Sequence, residues 1–165
     1  MLHKPLTLAA LLLTFALPAM AGGKAEVEFD KPENFTDIGW SERDRQETLG
    51  SLTDWFNKLA ARLPDGQVLQ VQVTDIDLAG QVLPFTAQNL RLATGRADWP
   101  RINLRYTLVD GNRTVKAGQA RLFDLGYLQW RVPAALQRDS FGYEKRMLKN
   151  WFEQTFTTPQ RSATP

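Results

Sequence analysis

The chain has 165 residues, of which 20 are lysine or arginine and 18 are aspartate or glutamate, for a formal net charge of +2. It has no cysteine and one histidine, so disulfides are excluded and the fold must rest on its hydrophobic core. The charges are dispersed, with no basic run of the kind that tracks a phosphate backbone, and nucleic acid is not an expected partner.

The first segment reads as a secretory signal peptide over residues 1–21. Lys4 opens it, an apolar run from Leu6 to Leu17 follows, and Pro18 precedes Ala19-Met20-Ala21. That run is shorter than the roughly 20 residues a membrane-spanning helix requires. Cleavage after Ala21 leaves 144 residues, with 19 basic against 18 acidic ones. It also removes His3, the one histidine. The expected product is a soluble, exported domain over 22–156 with no later membrane span, followed by a disordered tail over 157–165.

Ala25 to Phe29 alternates, with Val27 and Phe29 opposite Glu26 and Glu28, and predicts a first strand ending before Pro32. Ser41 and Asp44 then predict a helix start. Leu49, Leu52, Trp55, Phe56, Leu59, Ala60 and Leu63 recur at helical spacing, so the helix is predicted over about 42–63. Pro64-Asp65-Gly66 turns the chain. Val68 to Leu78 predicts a strand whose phase slips at Thr74-Asp75, the mark of a bulge.

Residues 81–100 are irregular, with a short strand around Leu90 to Leu92. The clearest alternation follows: Ile102, Leu104, Tyr106 and Leu108 on one face, Arg101, Asn103, Arg105 and Thr107 on the other. Asp110-Gly111 predicts a hairpin turn into a strand over Thr114 to Phe123, whose poor alternation leaves its faces unassigned. A long connection from Asp124 to Gln137 precedes a last helix, capped by Asp139 or Ser140, with Tyr143, Met147, Leu148, Trp151, Phe152 and Phe156 as its apolar stripe. These elements predict a single α+β domain: a largely antiparallel sheet of four to five strands with two amphipathic helices packed on one face.

The inventory restricts the chemistry. Without histidine or cysteine in the exported chain, a Ser-His-Asp triad, a Cys-His pair and ordinary zinc, copper, haem or iron–sulfur sites have no ligands or bases. No catalytic residue, metal or cofactor is expected. Asp75 and Asp77 project from one strand face and could hold a hard cation or share a proton. Leu78-Ala79-Gly80 follow instead of a calcium-loop pattern, and the plainer expectation is a solvated face paired with basic neighbours. Arg101 and Arg105 could bind an anion; the plainer expectation is cross-strand pairing with acids such as Asp75. Trp55 and Trp151 belong to core stripes, whereas Trp40, Trp99 and Trp130 fall in or beside loops; a buried anchor is the plainer expectation for each, and a ligand-facing ring the alternative. Asp75, Asp77, Trp99, Arg101, Arg105 and Trp130 therefore form the candidate ligand or partner surface.

Phe35-Thr36-Asp37, Asp77-Leu78-Ala79-Gly80, Asp98-Trp99-Pro100-Arg101-Ile102 with Leu104 and Tyr106, and Tyr143-Glu144-Lys145-Arg146-Met147-Leu148 with Trp151 resemble an uncharacterised exported proteobacterial family, domain of unknown function 3016. The likeness runs over nearly the whole exported chain. It implies a Gram-negative periplasmic protein and brings no activity or catalytic residue.

The leading expectation is a non-catalytic periplasmic binding or accessory domain whose partner is an envelope protein or glycan. A carboxylate-based hydrolase of envelope glycans, resting on Asp75 and Asp77, and a self-associating structural protein are the alternatives.

Overall fold

A computed structural model describes residues 22–83 and 91–157. The signal peptide expected over 1–21, Leu90 of the expected short strand and residues 158–165 of the expected tail lie outside the described residues. The elements are β1 (Lys24–Phe29), a 3-10 turn (Pro32–Asn34), α1 (Glu42–Ala60), β2 (Gln67–Asp77), β3 (Gln81–Val82), β4 (Arg91–Leu92), β5 (Arg101–Asp110), β6 (Arg113–Phe123), a second 3-10 turn (Ala134–Leu136), α2 (Gly142–Phe152) and a closing π-helical turn (Glu153–Thr157).

The main sheet runs β1-β2-β5-β6, and β3 pairs with β4 in a separate ribbon. β2–β5 and β5–β6 are antiparallel, as expected. β1 is parallel to β2, a pairing the alternation pattern does not disclose. Parallel neighbours need a long crossover, and α1 is that crossover.

α1 starts where its capping residues dictate. The Ser41 hydroxyl accepts from the Asp44 amide at 3.1 Å, and the Asp44 carboxylate accepts from the Ser41 amide at 3.1 Å. The helix stops at Ala60; the Leu63 amide donates back to the Ala60 carbonyl at 2.9 Å, which tightens the exit and keeps Leu63 buried. α2 departs from expectation. Phe141 occupies its cap position without a side-chain cap, because Asp139 accepts from the Phe141 amide at 2.9 Å and is otherwise held by Lys145.

Both helices cover the same sheet face. Leu52, Phe56, Leu148 and Phe152 are sealed against Leu69, Val73, Ile102 and Leu104. Trp151 is the centre of an aromatic cluster, edge-on to Tyr106 at 5.4 Å, Phe156 at 5.6 Å and Phe56 at 6.4 Å. Such pairs add about 0.5–1.5 kcal/mol each beyond the area they bury.

The strands obey their local signals. The register between β2 and β5 shifts between Val73 and Asp75, where the phase slip predicts a bulge. Gly111 sits at φ 57° in the two-residue connection between the paired Asp110 and Arg113. The register also assigns the faces of β6. Leu108, Tyr106, Leu104 and Ile102 stand opposite Lys116, Gly118, Ala120 and Leu122, so these four share the helix-covered face. Alternation is poor there for a reason: Tyr106 fills the space over Gly118, where an added Cβ would lie 2.9 Å from the tyrosine hydroxyl. Lys116 reaches past the core edge to donate to the Thr155 carbonyl at 2.7 Å.

Candidate functional site

The uncovered sheet face carries most of the sequence-predicted surface. Asp77 lies opposite Arg101 in the β2–β5 register, and the Arg101 Nε donates to Asp77 Oδ2 at 2.9 Å. The guanidinium also lies 5.9 Å from the centre of the half-buried Trp99 ring. Asp77, Trp99 and Arg101 are thus brought together. Asp75 is not Arg101's or Arg105's partner: it accepts from the Thr36 amide at 2.9 Å and the Thr36 hydroxyl at 3.1 Å. Arg105 stands opposite Gln72 and donates to its side-chain oxygen at 3.1 Å, while Asp75, past the bulge, stands opposite Asn103. Arg105 and Gln72 line a shallow polar groove with Glu26, Glu28 and Gln70, in which neither Asp75 nor Asp77 takes part. Trp130 lies in a different groove.

A second set of polar residues is buried or half-buried. The Asp37 amide donates to the Ile76 carbonyl at 2.9 Å, and the Leu78 amide donates to the Asp37 carbonyl at 3.2 Å. Arg91 binds the Asp37 carboxylate at 2.5 Å and also donates to the carbonyls of Leu78, Ala79 and Gly80. Glu144, 2% exposed, accepts from the Ala79 amide at 2.7 Å. Its other oxygen has no hydrogen-bond partner among the described residues. Burial pushes the Glu144 carboxyl up, and the Ala79 amide and the charge on Arg91 only partly oppose this.

Gly80 continues the knot. Its amide donates to the Asp98 carbonyl at 2.8 Å, and at φ 76° an added Cβ would meet the Leu92 carbonyl oxygen at 2.8 Å. Asp98 accepts from the Thr94 amide at 2.7 Å, the Thr94 hydroxyl at 2.8 Å and the Tyr127 hydroxyl at 2.9 Å. Burial alone would raise the Asp98 carboxyl; those hydrogen bonds outweigh it and hold it below the ordinary carboxylate value. Tyr127 is pushed up to about 12, first by burial and then by its bond to Asp98.

α2 gathers these loops. Glu144, Lys145 and Arg146 are consecutive and all buried. Lys145 donates to Asp139 at 2.6 Å and to the Ser51 hydroxyl at 2.7 Å. Arg146 donates to Asp124 at 2.7 Å, to the Tyr127 carbonyl at 2.8 Å and to the Trp130 carbonyl. Each charge ties a different segment to the core, so these motifs serve the fold. Glu144 does carry a sequence signal: it precedes Met147, Leu148 and Trp151 by three, four and seven residues, on the apolar stripe itself. Arg91, Asp98 and Tyr127 lie in irregular stretches and have no such signal.

The family model described as a protein of unknown function, DUF3016, matches residues 23–154. The chain belongs to this family. No curated protein and no solved structure matches it. The matched range takes in every segment of the buried knot.

The DUF3016 chain also presents an apolar surface. Phe123 is 60% exposed, Leu125 62%, Leu128 46% and Trp130 67%. Trp40 is 72% exposed as well. Trp40 and Trp130 are therefore not the buried anchors expected of loop tryptophans; the anchoring ring of the Asp124–Gln137 connection is Tyr127, edge-on to Tyr143 at 4.9 Å. Phe123 and Trp130 flank a groove between the end of β6 and α2, with Met147 and Trp151 beneath and Arg121 and Arg131 on its walls. Neither of those arginines has an ion-pair partner among the described residues. Among the described residues of this DUF3016 protein, no cluster of three acidic, histidine or cysteine side chains could hold a metal ion, and no helix is long and apolar enough to cross a membrane.

Proposed function

We propose that the protein is a non-catalytic binding module of the bacterial cell envelope, exported to the periplasm, whose partner is another envelope protein. The observation that carries this reading is the groove flanked by exposed Phe123 and Trp130 and walled by Arg121 and Arg131, which have no ion-pair partner among the described residues, with Leu125 and Leu128 also exposed in the same connection. Exposed apolar surface rimmed by polar groups marks interaction sites. Tryptophan and arginine are the side chains that most often dominate binding energy at such surfaces. Arg146 holds this connection by its carbonyls, so the patch is presented in a fixed shape at low entropic cost.

Export is proposed from the leader pattern of residues 1–21 and the resemblance to exported proteins. The carboxylate-hydrolase alternative is weakened by the site geometry: Asp77 is engaged by Arg101, and Asp75 by Thr36.

The test is capture from periplasmic extract by the immobilised exported chain, compared with a Phe123→Ser, Trp130→Ala double variant. Partner capture should be saturable and should vanish in the variant while the circular dichroism spectrum is kept. Equal capture by both proteins would remove the patch from the proposal. Cell-wall lysis by the wild type, abolished by Asp75→Asn with Asp77→Asn, would replace it with the hydrolase.

A further inference from the structure

The sheet has two outer strands, and they differ. β1 is six residues long, and the amides at its start are occupied: Gly22 donates to Asp65 at 2.5 Å, Gly23 to the Leu63 carbonyl at 3.1 Å and Ala25 to Asn57 at 3.3 Å. β6 is eleven residues long. Among the described residues, no hydrogen bond outside its ladder with β5 reaches the backbone of residues 114–123. A long, uncovered edge is a template for another strand.

The charges of β6 are all of one sign. Arg113, Lys116 and Arg121 carry them, and the strand has no acidic residue. Arg113 lies 3.8 Å from Asp110 and Lys116 donates to the Thr155 carbonyl, so Arg121 is the cation of β6 whose side chain has no ion-pair or hydrogen-bond partner among the described residues. Arg131 adds a further cation across the groove, while Asp124 is neutralised by Arg146 at 2.7 Å. These cations repel the β6 strand of a second copy, which suits the edge to monomeric life. The same cations attract an acidic strand. A groove bounded by a strand edge and a helix is where an extended peptide adds to a sheet: main-chain bonds supply affinity, and alternate side chains enter pockets on either face. Here one set of alternate side chains would meet Trp130 and Met147, and the other Phe123 and Arg121.

We infer that the β6 edge, with the groove between Phe123, Trp130 and α2, takes up an extended acidic peptide segment of a partner protein, with apolar residues at alternate positions, as a fifth strand of the sheet. This rests on the binding-module reading and adds the partner's chemistry and backbone conformation.

The probe is a fluorescein-labelled, end-capped decapeptide alternating glutamate with valine and phenylalanine, titrated by anisotropy into the full exported chain. Two further peptides serve as controls, one with lysine for every glutamate and one with alternate amides N-methylated. The glutamate peptide should bind saturably and slow hydrogen exchange across 113–123, while both controls fail. Arg121→Glu with Arg131→Glu should weaken binding by about tenfold or more, and rising salt should weaken it further. Binding of the N-methylated peptide equal to that of its parent, or binding without protection of 113–123, would overturn strand addition. So would no binding, or protection of β6 by self-association at rising protein concentration with no peptide present. Should the peptide fail while Trp130-dependent capture from extract persists, this inference falls alone; should both fail, the binding-module reading falls with it.

Discussion

The buried charges divide into those that favour a protonated fold and those that favour an ionised one. Glu144 has its carboxyl raised above the ordinary value of 4.5 by burial, so the folded state holds its proton more tightly than the unfolded chain. Its contribution is fully present below the unfolded value and is lost as pH rises through the folded one. Asp98, held low, behaves oppositely: its contribution is present above the unfolded value and is lost as pH falls through the folded one. Glu144→Gln keeps an oxygen for the Ala79 amide and removes the titration. Urea midpoints of this variant should therefore decline less than those of the wild type as pH rises above about 4.5. Glu144→Ala should instead cost roughly 1–3 kcal/mol by leaving the Ala79 amide unpaired.

The arginines separate by burial in the same way. Arg101 pairs with Asp77 while its side chain is 48% exposed, and Arg101→Ala should cost less than about 1 kcal/mol in denaturant unfolding. Arg146 is 6% exposed and serves Asp124 and two carbonyls, so Arg146→Ala should cost roughly 3–5 kcal/mol by stranding a mostly buried carboxylate.

At the level of elements, β5 and β6 meet by fitting a large side chain into the space of a missing one. Gly118 lies under Tyr106, with 2.9 Å between an added Cβ and the phenol oxygen. Gly118→Ala should destabilise the domain by roughly 1–3 kcal/mol, and Tyr106→Phe should restore part of that loss by removing the clashing oxygen. A double-mutant cycle in urea checks this, and additive costs would show that the hydroxyl contact does not matter. α2 is unusual among amphipathic helices because its buried surface includes Glu144, Lys145 and Arg146 beside Leu148 and Phe152. A helix that anchors three irregular segments by charge forms only when those segments are in place, so its formation is coupled to the rest of the fold.

For the whole molecule, one sheet face is spent on the core and the other is a polar surface whose charges largely satisfy one another. That leaves the β6 end and its connection as the distinctive exterior. Trp130 packs over Gly126 but is otherwise exposed, so Trp130→Ala should shift thermal stability by no more than about 0.5 kcal/mol while removing partner capture. A large loss of stability would assign the ring to folding instead.

How far the sequence was legible depends on the range of the cause. α1 could be read to its first residue because a capping box and a three-to-four-residue apolar spacing act within one turn. The β5 alternation, the slip at Asp75 and the Asp110-Gly111 turn are equally local, and each predicts its neighbourhood correctly. Family membership was also legible, since it resides in short stretches of residues. The parallel β1–β2 pairing, the faces of β6 and the choice of Asp77 over Asp75 for Arg101 depend on registers between distant strands, and composition holds no record of them. Exposure of Trp130 is likewise settled by what packs above the side chain, which is a property of the assembled chain, whereas the burial of Glu144 is readable from its place on the apolar stripe of α2.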